Sequence, residues 1–292
     1  MITCYLMGGL GNQLFQIFTL ITYAIQNRQQ FFLPNAEQLG TDANGATVRH
    51  TFWNSIFKTL KPFLKDKLLV KRCKLLIKEK GFEYEPLAPI GPSSGLRPED
   101  IVTLFGYFQS YKYFDAYAEQ ICKMLQLDNL RFSIMMKLRY EQLTFGQTVS
   151  MHFRQGDYLN YPHLYYILDQ DYYTNALQTI VQTKPSIRTV MCFYEDNDET
   201  EVKKIIDACK NKYPNMTFVS IDKDFTVNLE DWEQLLLMSM CDSNIIANST
   251  FSWWAAYLNQ ELGKTVVYPE KWFKPEAGKD IKDMCPEQWI RA

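Results

Sequence analysis

Residues 152–158 read HFRQGDY and place an imidazole, a guanidinium and a carboxylate within seven positions. On an extended chain His152 and Arg154 project to one face, and Gly156 permits a sharp exit that brings Asp157 back toward them. A guanidinium at the mouth of a strand is suited to gripping a phosphate by paired hydrogen bonds. A carboxylate or imidazole beside it is suited to taking a proton from an attacking hydroxyl, with Asp157 the first candidate and His152 the second. A structural Arg–Asp pair would explain the stretch by itself equally well, so its neighbours decide.

Two further stretches join it. NSTFSWWAAYL (248–258) follows the apolar run NIIAN and supplies cap hydroxyls at Ser249 and Thr250 before an apolar helix. With Asn248 and Phe251 this helix start is an anion cradle, its N–H groups and partial positive charge aimed outward. The bland reading, a good cap before a helix whose Trp253 and Trp254 fill a core, is compatible with it. GGLGNQLF (8–15) is a glycine-rich turn between a strand and a helix. A dinucleotide turn needs a third glycine where Leu14 stands, which disfavours a nicotinamide or flavin enzyme. Gly11 instead lets backbone approach an anion, and the Asn12 amide offers a donor and an acceptor to a sugar hydroxyl; an ordinary capped turn is the alternative.

The remaining polar clusters carry less. Glu195 and Asp196, in EDNDE (195–199), are placed to bind a base or ribose, although acids at a helix start are favoured in any case. The triplet Asp222-Lys223-Asp224 has the form of a manganese-binding motif but is expected by chance among 33 acids. Tyrosines crowd 158–168, where they suit either a sugar ring or domain packing.

These residues need strands and helices to hold them. The second half alternates apolar runs at 148–153, 189–193, 216–220, 244–248 and 265–269 with helical stretches around 171–183, 199–212, 230–242 and from 251. Such alternation predicts an α/β fold with parallel sheets. The first half opens as strand, turn and helix, with another buried strand at 101–105 and helical patterns to about 143. A boundary is expected near 145, giving domains 1–145 and 146–292. The segment 58–80 holds nine Lys/Arg against two acids with leucines near helical spacing. It reads as a basic amphipathic helix, either packed on its own domain or touching an anionic membrane surface.

Composition narrows the class. The 292 residues are 47% hydrophobic with a formal net charge of −2, a globular composition without the basic face that nucleic-acid binding requires. Seven scattered cysteines and three distant histidines predict reduced thiols in a cytosolic protein and no metal site. No stretch is long and apolar enough to span a bilayer.

GGLGNQLFQ, HFRQGDY, LLLMSMCDSNIIANSTFSWWAAYL and YPEKWF (268–273), in this order along nearly the whole chain, make it similar to the bacterial α-1,2-fucosyltransferases of glycosyltransferase family 11. The resemblance implies two facing Rossmann-like domains in a GT-B-like arrangement, the first on the acceptor side and the second binding the donor. It implies GDP-β-L-fucose as donor, a terminal galactoside as acceptor, inversion at the anomeric carbon and no metal or other cofactor. It assigns the donor's β-phosphate to Arg154 and places Asn12 beside the sugar. Gln155 stands where the related motif carries a second arginine, and Ser243 where a histidine often precedes NIIAN. The acceptor would belong to an O-antigen, capsule or similar glycan, and the basic segment hints at a lipid-linked one at the inner membrane face. A transferase for GDP-rhamnose or GDP-mannose, or a non-catalytic glycan-binding protein, are the competing readings.

Overall fold

A computed structural model describes residues 1–41, 48–91, 95–138, 145–225 and 227–292. The chain divides into two compact units, Met1–Asp128 with Lys279–Pro286, and Asn129–Gly278 with Glu287–Ala292.

In the first unit, β1 (Ile2–Cys4) enters α1 (Leu10–Gln26), followed by β2 (Leu33–Asn35), β3 (Gln38–Thr41), β4 (Val48–His50), β5 (Leu64–Asp66), β6 (Cys73–Lys78), β7 (Ile101–Phe105) and α2 (Ala118–Met124). A parallel three-stranded sheet runs β1-β7-β6, and β2 pairs in parallel with β5. Helix α1 is buried from Leu10 through Ala24 except at Asn12, as a helix apolar on nearly every side must be. The return segment is tied in by Asp283, whose carboxylate accepts from Tyr84 N at 3.1 Å and pairs with Lys112 at 2.6 Å.

The segment 58–80 is not the amphipathic helix its leucine spacing suggests. It forms a 3-10 turn carrying Pro62, then β5, a second 3-10 turn and β6. Proline breaks the helical ladder, and pairing of β6 with β7 overrides the local pattern. Leu68, Leu75 and Leu76 are exposed rather than packed.

The second unit begins within α3 (Leu127–Lys137), at Asn129, and continues through β8 (Thr148–His152), α4 (Gln170–Thr183), β9 (Thr189–Phe193), α5 (Glu199–Lys212), β10 (Thr217–Ser220), α6 (Ile221–Asp224), α7 (Asp231–Met238), β11 (Ser243–Ile245), α8 (Thr250–Leu258), β12 (Thr265–Tyr268) and β13 (Ile290–Arg291). The division falls at 128/129, earlier than the expected break near 145. Arg131 on α3 donates to Leu258 O at 2.6 Å, and Gly146 and Thr148 both donate to the Asp242 carboxylate, so these residues are anchored in the second unit.

All six strands of that unit are parallel, in the order β10-β9-β8-β11-β12-β13. Renumbered within the unit this is 3-2-1-4-5-6, the doubly wound order of Rossmann sheets. Side chains of β8 alternate. Val149 and Met151 join the core under α4 and α5, whereas Ser150 accepts from buried Asn244, which also donates to Met238 O at the end of α7.

Candidate active site

In a doubly wound sheet the connections leave the first and fourth strands on opposite sides, opening a crevice at their carboxyl ends. Here those strands are β8 and β11. HFRQGDY leaves the first and NSTF the second, so the two stretches meet at the switch point. The His152 and Phe251 rings lie 5.6 Å apart, and Tyr158 Oη donates to Asn248 O at 2.8 Å. Ser249 caps α8 by accepting from Phe251 N at 3.3 Å, and Thr250 begins the helix.

Arg154 stands over the Tyr158 ring, 5.5 Å from its centroid, and pairs with the Glu195 carboxylate. Glu195, expected to read a base or ribose, thus neutralises the arginine in this state. Asp196 opens the neighbouring 3-10 turn and is exposed. The backbone of Asp157 lies in the 3-10 turn 156–160, and its side chain falls outside the described residues.

His152 is 7% exposed, and its Nδ1 has no hydrogen-bond partner. Burial, reinforced by the Arg154 charge, pulls its pKa down to about 3, so the ring is neutral at physiological pH. Asn248 is fully buried and donates to Tyr166 O and Trp272 O at 2.8 and 3.1 Å, which leaves its Oδ1 without a partner. Buried polar atoms are ordinarily satisfied, and these two sit at the ends of the strands flanking the crevice. The tyrosines resolve toward packing: Tyr158 and Tyr165 stack at 3.9 Å, and Tyr165 leans on Phe273 at 5.6 Å.

One residue escaped the sequence reading. Asp198 is 5% exposed, and its carboxylate accepts from Gln155 N at 3.1 Å and Gly156 N at 2.8 and 3.0 Å. It pins the turn immediately after Arg154. A Cβ on Gly156 would stand 2.8 Å from Glu195 Oε2, so the end of that side chain would have to move aside to admit one. Its signal is the second aspartate of EDNDE, a stretch whose sequence suits a base or ribose, or simply a helix start, and says nothing of a distant turn. Asp198→Ala is expected to cost about 1–3 kcal/mol, because two amides lose their acceptor. Chemical denaturation would measure that loss, and kcat should fall further than destabilisation explains because the Arg154 turn loosens.

The glycine-rich turn belongs to the first unit. Gly8 has φ +77, and a Cβ there would come within 2.4 Å of Asn12 Nδ2. Gln13 donates to Gly8 O and His50 O, and Gln16 accepts from Met7 N and donates to Gly106 O. Asn12, half-buried, accepts from Gln109 Nε2 at 2.8 Å and does not cap the helix. Gly11 is buried within the first turn of α1. Of the acidic triplet, Asp224 accepts from Ser220 N at 2.6 Å, while the side chains of Asp222 and Lys223 fall outside the described residues. Among the described residues, no group of three or more His, Cys, Asp or Glu is placed to hold a metal ion.

Residues 47–291 match the family model of Glycosyl transferase family 11. The chain is 31% identical over 197 residues to the O-antigen biosynthesis glycosyltransferase WbnK of Escherichia coli, covering 64% of this chain and 59% of that protein. It is 27% identical to an Escherichia coli alpha-1,2-colitosyltransferase across 98% of this chain and 97% of that one. It is 25% identical to the Homo sapiens galactoside alpha-(1,2)-fucosyltransferase 1 across 94% of this chain and 72% of that one. A crystal structure of POFUT1 in complex with GDP shares the fold, with a TM-score of 0.51 at 10% identity over 91% of this chain and 97% of that one. The family match spans most of the sequence, both units included. The chain belongs to glycosyl transferase family 11.

Proposed function

We propose that the protein transfers L-fucose from GDP-β-L-fucose to the 2-hydroxyl of a terminal galactoside, inverting the anomeric centre. The observation that carries this is the convergence at the β8–β11 crevice of Arg154, the capped start of α8 and two partnerless polar atoms, His152 Nδ1 and Asn248 Oδ1. In this reading the second unit holds the donor, with Glu195 and Asp196 near the nucleoside, and the first unit takes the acceptor through Asn12.

The acceptor hydroxyl attacks the anomeric carbon as GDP leaves from the other face. The bond to the β-phosphate oxygen breaks with its electron pair, so negative charge grows on the diphosphate. Arg154 and the N–H groups at the start of α8 stabilise that charge where it develops. Asp157 takes the acceptor proton. His152, too weak a base to hold a proton near neutrality, serves as a neutral hydrogen-bond partner instead. Positive charge from arginine and a helix end meets the need that a divalent ion fills elsewhere, so no metal is required.

The test is incubation with GDP-fucose and a panel of galactosides, with linkage analysis of the product. We expect an α-1,2 linkage formed at an unchanged rate in EDTA. Loss of activity in EDTA, or product only from another nucleotide sugar, overturns the assignment. The full-length match to an alpha-1,2-colitosyltransferase supports one second reading, a donor lacking the 3-hydroxyl of fucose, so GDP-colitose belongs in the panel beside GDP-mannose and GDP-rhamnose. A glycan-binding protein without catalysis would bind galactosides and release no GDP.

The acceptor is proposed to be lipid-linked. Exposed Leu68, Leu75 and Leu76 lie among nine Lys/Arg in 58–80, a composition suited to an anionic bilayer surface. Among the described residues no helix is long and apolar enough to cross a membrane. Vesicles containing anionic lipid should retain the protein at low salt and release it at high salt; no retention removes this part of the reading.

A further inference from the structure

The turn that follows β7 holds aromatic rings in solvent by means an ordinary surface loop does not need. Phe105 at the end of β7, Tyr107 two residues on and Tyr5 just beyond β1 are 38%, 38% and 37% exposed. Tyr5 and Phe105 meet edge to face at 5.5 Å, and Lys78 Nζ stands 5.6 Å from the centre of the Phe105 ring. All lie at the carboxyl ends of the parallel strands β1, β7 and β6, the end where open α/β sheets bind ligands.

Behind the rings the backbone is held from several directions. The Glu79 carboxylate accepts from Tyr107 N and Phe108 N, both at 2.8 Å. Partial burial raises the Glu79 pKa from its ordinary value while the two amide hydrogen bonds pull it down, so a half-buried acid is held in place by these two amides. A Cβ on Gly106 would stand 2.7 Å from Glu79 Oε2, so the carboxylate reaches the turn only because a glycine is there. Phe108 adopts φ +55, a conformation a bulky side chain takes only when its surroundings impose it. Gln16 donates to Gly106 O, and Gln109 donates to Asn12 Oδ1. A half-buried carboxylate and a strained phenylalanine therefore fix a turn whose outward groups are aromatic. Imposed backbone strain of this kind concentrates at functional sites.

We infer that Tyr5, Phe105 and Tyr107 form a platform on which a sugar ring of the acceptor glycan stacks. The inference rests on the glycosyltransferase reading above and names the acceptor subsite within it. A galactose ring has an apolar face, because its axial 4-hydroxyl leaves the hydrogens on C3, C4 and C5 together on one side. Aromatic rings pack against such a face, and a rigid ring loses little entropy in doing so. Asn12, half-buried, is joined to the same turn through Gln109 and adds an amide to this end of the unit. Neutral galactosides are the class that this combination fits.

The test compares the wild type with Tyr107→Ala, Phe105→Ala and Tyr107→Phe. The alanine variants are expected to raise the KM for a β-galactoside acceptor about tenfold while the KM for the donor stays put, and Tyr107→Phe is expected to restore acceptor binding. Saturation-transfer NMR with methyl β-galactoside reads the platform without turnover: magnetisation should reach H3, H4 and H5 in the wild type and fade in Tyr107→Ala. An unchanged acceptor KM with unchanged saturation transfer overturns the platform. So does conversion of a wild-type dimer to monomers with no change toward the galactoside, which would make the rings a subunit contact. If no GDP-sugar is turned over but the NMR contrast holds, the transfer reaction fails and the sugar platform stands.

Discussion

Arg154→Ala is expected to lower kcat about 10²- to 10³-fold while leaving the protein folded, the scale seen when one donor that stabilises developing negative charge is removed. The guanidinium is a side chain at the site's edge, 21% exposed, and its charge partner Glu195 is half exposed. Removing it leaves a carboxylate that water can solvate, so the stability change is small, as for exposed ion pairs. Catalysis is another matter, because the diphosphate carries more charge in the transition state than in the bound donor. Arg154→Lys should recover little, since a point charge does not reproduce the paired geometry of the fork. Turnover at saturating donor, with a thermal melt as the folding control, checks both halves. A variant with near-normal kcat would show that some other group carries the leaving charge.

The pairing of Arg154 with Glu195 fits this role. In the ligand-free protein the guanidinium keeps a charged hydrogen-bond partner and is held against the Tyr158 ring. Binding a diphosphate then exchanges one anion for another rather than desolvating a bare cation, which lowers the cost of engaging the donor. The same carboxylate touches the space above Gly156, and Asp198 fixes that glycine from behind. Arginine, its counter-ion and the turn between them are one constructed unit.

What was legible in the sequence follows from how locally each feature is encoded. Strand β9 and helix α5 have the bounds expected of them, 189–193 and 199–212, because buried parallel strands read as continuous apolar runs and α5 repeats its apolar residues at helical spacing. The meeting of His152 with Phe251 was inferable once both stretches were placed at the ends of parallel strands. The short strands β2, β5 and β6 were not, because their partners are distant in sequence and, around β5 and β6, the leucine spacing mimics a helix. Asp198 was hidden for the same reason: its purpose is to accept from Gln155 and Gly156, more than forty positions away. The Gly-Asn-Gln turn announced its chemistry only in part. Gln13 and Gln16 spend their amides on the backbone, and Asn12 is the amide of the three left half-buried.

Acidification is expected to weaken the fold through His152, and the sign follows from its pKa. Burial first, and the Arg154 charge second, lower that value from 6.5 to about 3 in the folded protein. The unfolded chain takes up the proton near pH 6.5, whereas the folded ring resists it down to about pH 3. Between those limits the unfolded state binds more protons, so stability rises with pH and falls on acidification. The contribution is intact above pH 6.5 and is lost at about 1.4 kcal/mol per pH unit below it. Urea unfolding of the wild type at pH 7.5 and pH 5.5 should therefore differ by about 1.4 kcal/mol from this residue, and the difference should shrink by that amount in His152→Gln, which cannot titrate. Arg154→Ala supplies a second control: deleting the neighbouring charge removes one cause of the depression and should shorten the window from its acidic end. Identical pH dependences in wild type and His152→Gln would mean that the imidazole reaches water in solution, and the buried, partnerless Nδ1 at the crevice would then lose its place in the donor site.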